Sequence, residues 1–205
     1  MCPFESARDS RLDALRPDHL EGPRDILSRL VEGDPLELLD RCASYLASEA
    51  LLLDLERLHA RSLAIVARRS DEATEENVDE WLCARVSDAA KQLIHEEQYE
   101  ERLGFPPPRA ADPRSSFLVG ALGIEPALTR GVSVTFHRMS REDRRTFWRA
   151  VVSGESVAGI AEDAESTHDS VLRCLRRVIH SMSLSGLRER AQSSTQPSDP
   201  GRETT

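Results

Sequence analysis

Residues 103–116 read "LGFPPPRAADPRSS", and the three consecutive prolines at 106–108 exclude the interior of a helix or of a sheet. Proline has no backbone N–H to donate, and it pushes the residue before it out of the helical region. Any fold of these 205 residues must therefore break near the middle of the chain. Apolar residues on both sides recur at helical spacing, so the reading is an all-α chain: two small helical domains joined by a Pro-rich linker. The divisions that follow are a loosely ordered lead over 1–33, a helical domain over 34–102, a linker over 103–138, a second helical domain over 139–184 and a disordered Ser/Thr/Pro-rich tail over 185–205.

Within the lead, prolines at 3, 17 and 23 leave room for one short helix near 26–31. At Asp34 the helix signal strengthens, with Asp34 as N-cap, Pro35 at the first helical position, and Leu36, Leu39, Ala43 and Leu46 at steps of three and four. A second run follows in Leu52, Leu55, Leu58, Ser62, Ile65 and Val66. A third helix is expected from about 75 to 102, with Val78, Trp81, Leu82, Val86, Ala89 and Leu93 on one stripe and "HEEQYEER" as its solvated end. Beyond the prolines, Val132, Val134 and Phe136 alternate with Ser133, Thr135 and His137. That pattern fits either a short strand or an extended linker packed against a helix.

Charge is distributed unevenly. Positions 1–104 hold 13 basic and 24 acidic residues, a net of 13 − 24 = −11, whereas positions 139–190 hold 9 and 8. The first half should repel phosphates unless its few arginines cluster on one face, and the second can present a local basic surface. No apolar run approaches the roughly 20 residues needed to span a bilayer, and the acidic N-terminus lacks the apolar core of a secretion signal, so a cytoplasmic protein without a membrane anchor is expected. The four cysteines, at 2, 42, 83 and 174, form no CxxC pair and predict neither a disulfide framework nor a zinc knuckle.

Residues 140–180 carry the most specific pattern. Ser140 is placed to cap a helix over 140–153, with Asp143 at the capping-box position and Phe147, Trp148, Val151 and Val152 as its apolar face. A shorter helix capped by Ser156 follows, with Ile160 inward and Ala161 as the small residue where two helices cross. A last helix from Ser166 or Thr167 buries Val171, Leu175, Val178 and Ile179. This is the arrangement of a helix-turn-helix, whose second helix enters the major groove. His168, Asp169, Ser170 and Leu172 then stand at the base-facing end, with Arg173, Arg176 and Arg177 for phosphates or guanine.

The stretch "MSREDRRTFWRAVVSGESVAGIAEDAESTHDSVLRCLRRVI" resembles the C-terminal promoter-binding domain of sigma-70-family RNA polymerase sigma factors, particularly the small extracytoplasmic-function kind. Arg144 or Arg145, Phe147, Gly154, Ser156, Ile160, Ala161, Thr167, Ser170, Val171 and Leu175 align with that family's pattern without a gap. In the first half, "LERLHARSLAIVARR" and "EWLCARVSDAAKQLIHEEQ" resemble two helices of the same family's polymerase- and promoter-binding domain, through Trp81, Leu82, Ala90, Leu93 and Ile94. The resemblance implies a transcription initiation protein whose partners are promoter DNA, core RNA polymerase and an anti-sigma protein.

The departures from the family pattern have physical consequences. Gly159 replaces a glutamate, Ala164 a leucine, Glu165 the turn glycine, and Leu172 and Cys174 basic residues. Glu165 costs roughly 1 kcal/mol if a positive φ is kept there, and Cys174 deletes a phosphate- or base-contacting arginine. An alternative reading therefore stands beside the first: an interaction module that keeps the sigma-like fold without promoter recognition, favoured by Cys174 and by the acidic stretch over 95–101.

An enzyme is not expected, and neither a cofactor nor a metal. The sequence holds no Gly-rich phosphate loop, nucleophile elbow or HExxH. Cys83 and His95, like His168 and His180, are twelve residues apart on one predicted helix. That is about 18 Å by helical rise, too far to share an ion. Trp81 and Trp148 lie on apolar stripes and read as core.

Overall fold

In the computed structural model the described residues are 14–16, 22–74, 76–105, 118–120 and 122–193, with side chains through Leu184. All elements among them are helical, as the sequence periodicity predicts. The prolines at 106–108, the segment up to 117 expected to serve as linker, Cys2 and the tail from 194 lie outside the described residues. The chain divides between Tyr99 and Glu100 into two compact units.

The first unit begins with α1 (Pro23–Val31), started by Pro23 and by Asp25, whose carboxylate accepts the Gly22 N–H at 2.8 Å. Next come α2 (Leu38–Glu49), α3 (Leu55–Arg68) and α4 (Val78–Arg102). Both α1 and α2 pack on α3. Arg41 on α2 pairs with Asp79 on α4 at 2.5 Å, and the hydroxyls of Tyr45 and Ser87 join the same two helices at 3.0 Å. The core is aliphatic, centred on Leu30, Leu38, Leu58, Val66 and Leu82, and the expected α4 stripe from Val78 to Leu93 is buried throughout.

Two readings are corrected in this unit. The helix predicted to start at Pro35 starts at Leu38, because Asp34 and Glu37 both adopt positive φ and form a turn first. Asp34 still serves the helix end, since its carboxylate accepts the N–H groups of Leu38 and Leu39 at 2.7 and 2.9 Å. The later start rotates the buried face onto Leu38, Cys42 and Leu46 and leaves Leu39 and Ala43 exposed. In the stretch expected to be a solvated end, Glu97 is buried.

In the second unit, α5 (Thr129–His137) occupies a segment expected to be strand or extended linker. Its apolar residues alternate, but nearly every residue of the helix is buried, serine, threonine and arginine included, so the polar positions do not mark a solvent face. Next comes α6 (Arg141–Phe147), which continues as a π-helical turn over Trp148–Val152. The last two helices are α7 (Val157–Asp163) and α8 (His168–Ser193). Against α8 pack α5, α6 and α7. Phe136 and Phe147, both fully buried, meet edge to face at 5.3 Å and fix α5 against α6. Trp148 is only half-buried, in the π turn rather than the core. The expected boundary at 184 is also corrected: α8 runs on to Ser193.

Candidate nucleic-acid interface

The geometry of α6, α7 and α8 follows from their caps. The Ser140 hydroxyl accepts the Asp143 N–H at 3.1 Å, the Ser156 hydroxyl accepts the Gly159 N–H at 3.1 Å, and the Thr167 hydroxyl accepts the Ser170 N–H at 3.2 Å. Each removes one of the orphan donors at a helix start. Between α7 and α8 the chain closes with two bonds, Glu165 N–H to Glu162 C=O at 3.1 Å and Ser166 N–H to Ala161 C=O at 2.9 Å. This is a Schellman ending, and its left-handed position is Glu165, at φ +47°. Ile160, Ala161 and Val171 form the core beneath the turn, flanked by Ala150, Val157 and Leu175.

Arg149 on the π turn donates to Glu155 at 2.6 and 2.8 Å and to Asp163 at 2.6 Å, so one guanidinium braces the approach to α7 and its last turn. Those two carboxylates hold the guanidinium above the usual arginine range. The sequence reading did not single out Arg149.

All seven predicted contact residues lie on the first three turns of α8. His168, Asp169 and Ser170 are exposed at its start; Arg173 and Arg176 are exposed one and two turns on, along the Asp169 stripe. The Arg173 Nε–H donates to the Asp169 carbonyl at 3.3 Å. Leu172 is half-buried at the flank and is corrected from an outward position; Ile179, expected inside, is exposed, and Met182 takes its place under the helix. Steps of four, three and four from Val171 through Leu175 and Val178 to Met182 follow the helical period, whereas Ile179 lies about 100° away from Val178.

Arg177 differs from the other arginines. It turns toward α6, where its guanidinium pairs with the Asp143 carboxylate, and the Cys174 thiol donates to the same oxygen at 3.1 Å. Burial pushes the Asp143 carboxyl up, but the bonds from Arg177, Cys174 and Ser140 outweigh it and hold the group below the usual aspartate range. Burial and the neighbouring carboxylate push the Cys174 thiol up. Asp143, Ser170, Arg173, Cys174 and Arg177 line a cleft of about 410 Å³. Its walls carry both signs of charge, so a phosphate there has to compete with Asp143. Among the described residues no group of three or more His, Cys, Asp or Glu side chains is placed to hold a metal ion, and no helix is long and apolar enough to cross a membrane.

No protein family, curated protein or solved structure matches the chain.

Proposed function

We propose that the chain is a sigma-like transcription initiation protein of the cytoplasm, which docks α8 of a C-terminal helix-turn-helix in the major groove of a promoter element. The observation that carries this reading is the backbone at Glu165. The sigma pattern has glycine there, and the chain keeps the left-handed turn, φ +47°, although glutamate is strained in it. The turn directs the chain from α7 into α8, on which Arg173 and Arg176 are exposed together on one stripe. The first unit is then the binding region for core RNA polymerase, and an anti-sigma protein is the expected regulator.

A second reading is favoured by a different observation: Arg177 is engaged by Asp143, and Cys174 stands where the family has a basic residue. On that reading the chain is a protein-interaction module without promoter recognition.

Selection from a randomised 30-bp duplex pool, with and without core polymerase over a salt series, separates the two readings. A promoter-binding protein enriches a motif, loses affinity as salt rises, and weakens on Arg173→Ala/Arg176→Ala. Retention of core polymerase without any DNA enrichment at low salt leaves the interaction module. Failure of both refutes the sigma-like assignment.

A further inference from the structure

The first unit contains a cleft of about 500 Å³ between α3 and α4. Arg61 and Arg68 on α3, Arg69 just after it and Lys91 on α4 line it, over a floor that includes Ile65. This is an unexpected concentration of positive charge. Positions 1–104 hold 24 acidic and 13 basic residues, yet four of those 13 face one cavity, and Asp88 is the one acidic residue in its lining.

The ion pairs leave much of that charge uncompensated. Arg61 is held by Glu96 through bonds of 2.7 and 3.0 Å, and Asp88 is drawn toward Arg85 at 3.4 Å. Arg69 has only a 3.9 Å approach to Glu72 between half-exposed groups, which contributes little. Arg68 and Lys91 are exposed and form no ion pair with the described residues. Arg68, Arg69 and Lys91 thus share a cleft whose one lining carboxylate, Asp88, is drawn toward Arg85, and an anionic ligand relieves their mutual repulsion.

Size and surroundings restrict the ligand. Small-molecule sites span roughly 300–1,000 Å³, so the cleft suits a molecule of nucleotide dimensions. A long nucleic-acid strand leaving the cleft meets the carboxylates of Glu96 beside Arg61 and Glu72 beside Arg69, and charge is felt over roughly 8–10 Å. A compact anion does not extend so far. We propose that this cleft binds a compact oligophosphate, its phosphates on Arg68, Arg69 and Lys91; the apolar floor at Ile65 favours a nucleoside triphosphate over the inorganic ion. The site is independent of the helix-turn-helix reading.

Calorimetric titration of the full chain with ATP, inorganic tripolyphosphate and adenosine at low salt tests it. Saturable one-to-one binding of ATP and tripolyphosphate is expected, with no adenosine binding. Tighter ATP assigns the nucleotide, and equal affinities assign the inorganic ion. Arg68→Glu/Lys91→Glu should weaken binding at least tenfold and Arg68→Gln/Lys91→Gln by a smaller factor, while Arg173→Ala/Arg176→Ala leaves it unchanged. The proposal is overturned if neither phosphate compound saturates, if the charge-reversed variant binds as the parent does, or if a 20-nucleotide single strand displaces ATP from the cleft with higher affinity.

Discussion

Asp143 on α6 and Arg177 on α8, 34 residues apart, form an ion pair that turns one predicted DNA-contact arginine back onto the protein. Arg177 is largely exposed, so the pair is of the surface kind that opens readily. A phosphate and the Asp143 carboxylate therefore compete for one guanidinium.

Replacing Asp143 by asparagine should consequently release Arg177 to DNA. If α8 binds DNA as proposed, Asp143→Asn raises affinity several-fold at low salt. It also steepens the slope of log affinity against log salt by about 0.9, one additional phosphate contact. Fluorescence anisotropy over a salt series reads both quantities. Identical slopes for parent and variant would show that Asp143 does not withhold Arg177 from a phosphate.

Glu165 supplies a second test, on stability. A non-glycine residue in the left-handed region carries about 1–2 kcal/mol of strain, while glycine adds roughly 0.4–1 kcal/mol of unfolded-state entropy. Strain relief exceeds the entropy loss, so Glu165→Gly should stabilise the second unit by about 0.5–1 kcal/mol. Thermal unfolding followed by circular dichroism should show its melting temperature a few degrees higher. A lower melting temperature contradicts the strain at φ +47°.

The thiols should also separate by reactivity. The Cys42 thiol is buried against the Ser62 hydroxyl at 3.6 Å, and burial pushes it up to about 11, which leaves on the order of one part in a thousand as thiolate at pH 8. Cys174 is held up by burial and by Asp143, whereas Cys83 is exposed. Among the three described cysteines, peptide mapping after brief iodoacetamide treatment should find Cys83 modified first, Cys174 later and Cys42 only on unfolding. Asp143→Asn should advance Cys174; an unchanged Cys174 rate means that the thiol–carboxylate bond does not govern it.

The helices themselves were legible where one face is apolar and the opposite face polar, as in α4 from Val78 to Leu93 and in the caps Ser140, Ser156 and Thr167. Periodicity failed at α5, because a helix buried on nearly all sides has no polar stripe to set its phase. It also failed at Asp34, where two positive-φ residues that are not glycine delay α2 and no local signal announces them. The placement of the predicted contact residues on α8 was readable because their spacing is local. Their partners were not. Asp143 meets Cys174 and Arg177 across 31 and 34 residues, and Arg68 shares a cleft with Lys91 only because α3 and α4 flank it. Charge counts along a sequence cannot register such meetings.

The Asp143 carboxyl, finally, ties the stability of the second unit to pH in a direction that can be worked out. Its folded-state value lies below the unfolded value of about 3.9. The unfolded chain therefore takes up the proton first as pH falls, and the ionised carboxylate's contribution is present in full above pH 4. Below that it declines, and it is gone once pH has passed the folded-state value. Other acidic groups titrate in the same range, so the comparison must be between parent and Asp143→Asn, which share all the rest. The parent should melt higher than the variant by a constant margin from pH 7 to about 5, and the margin should narrow steadily below pH 4. A margin that widens on acidification, or that never existed, would mean that Asp143 is not stabilised by Arg177 and Cys174 in solution.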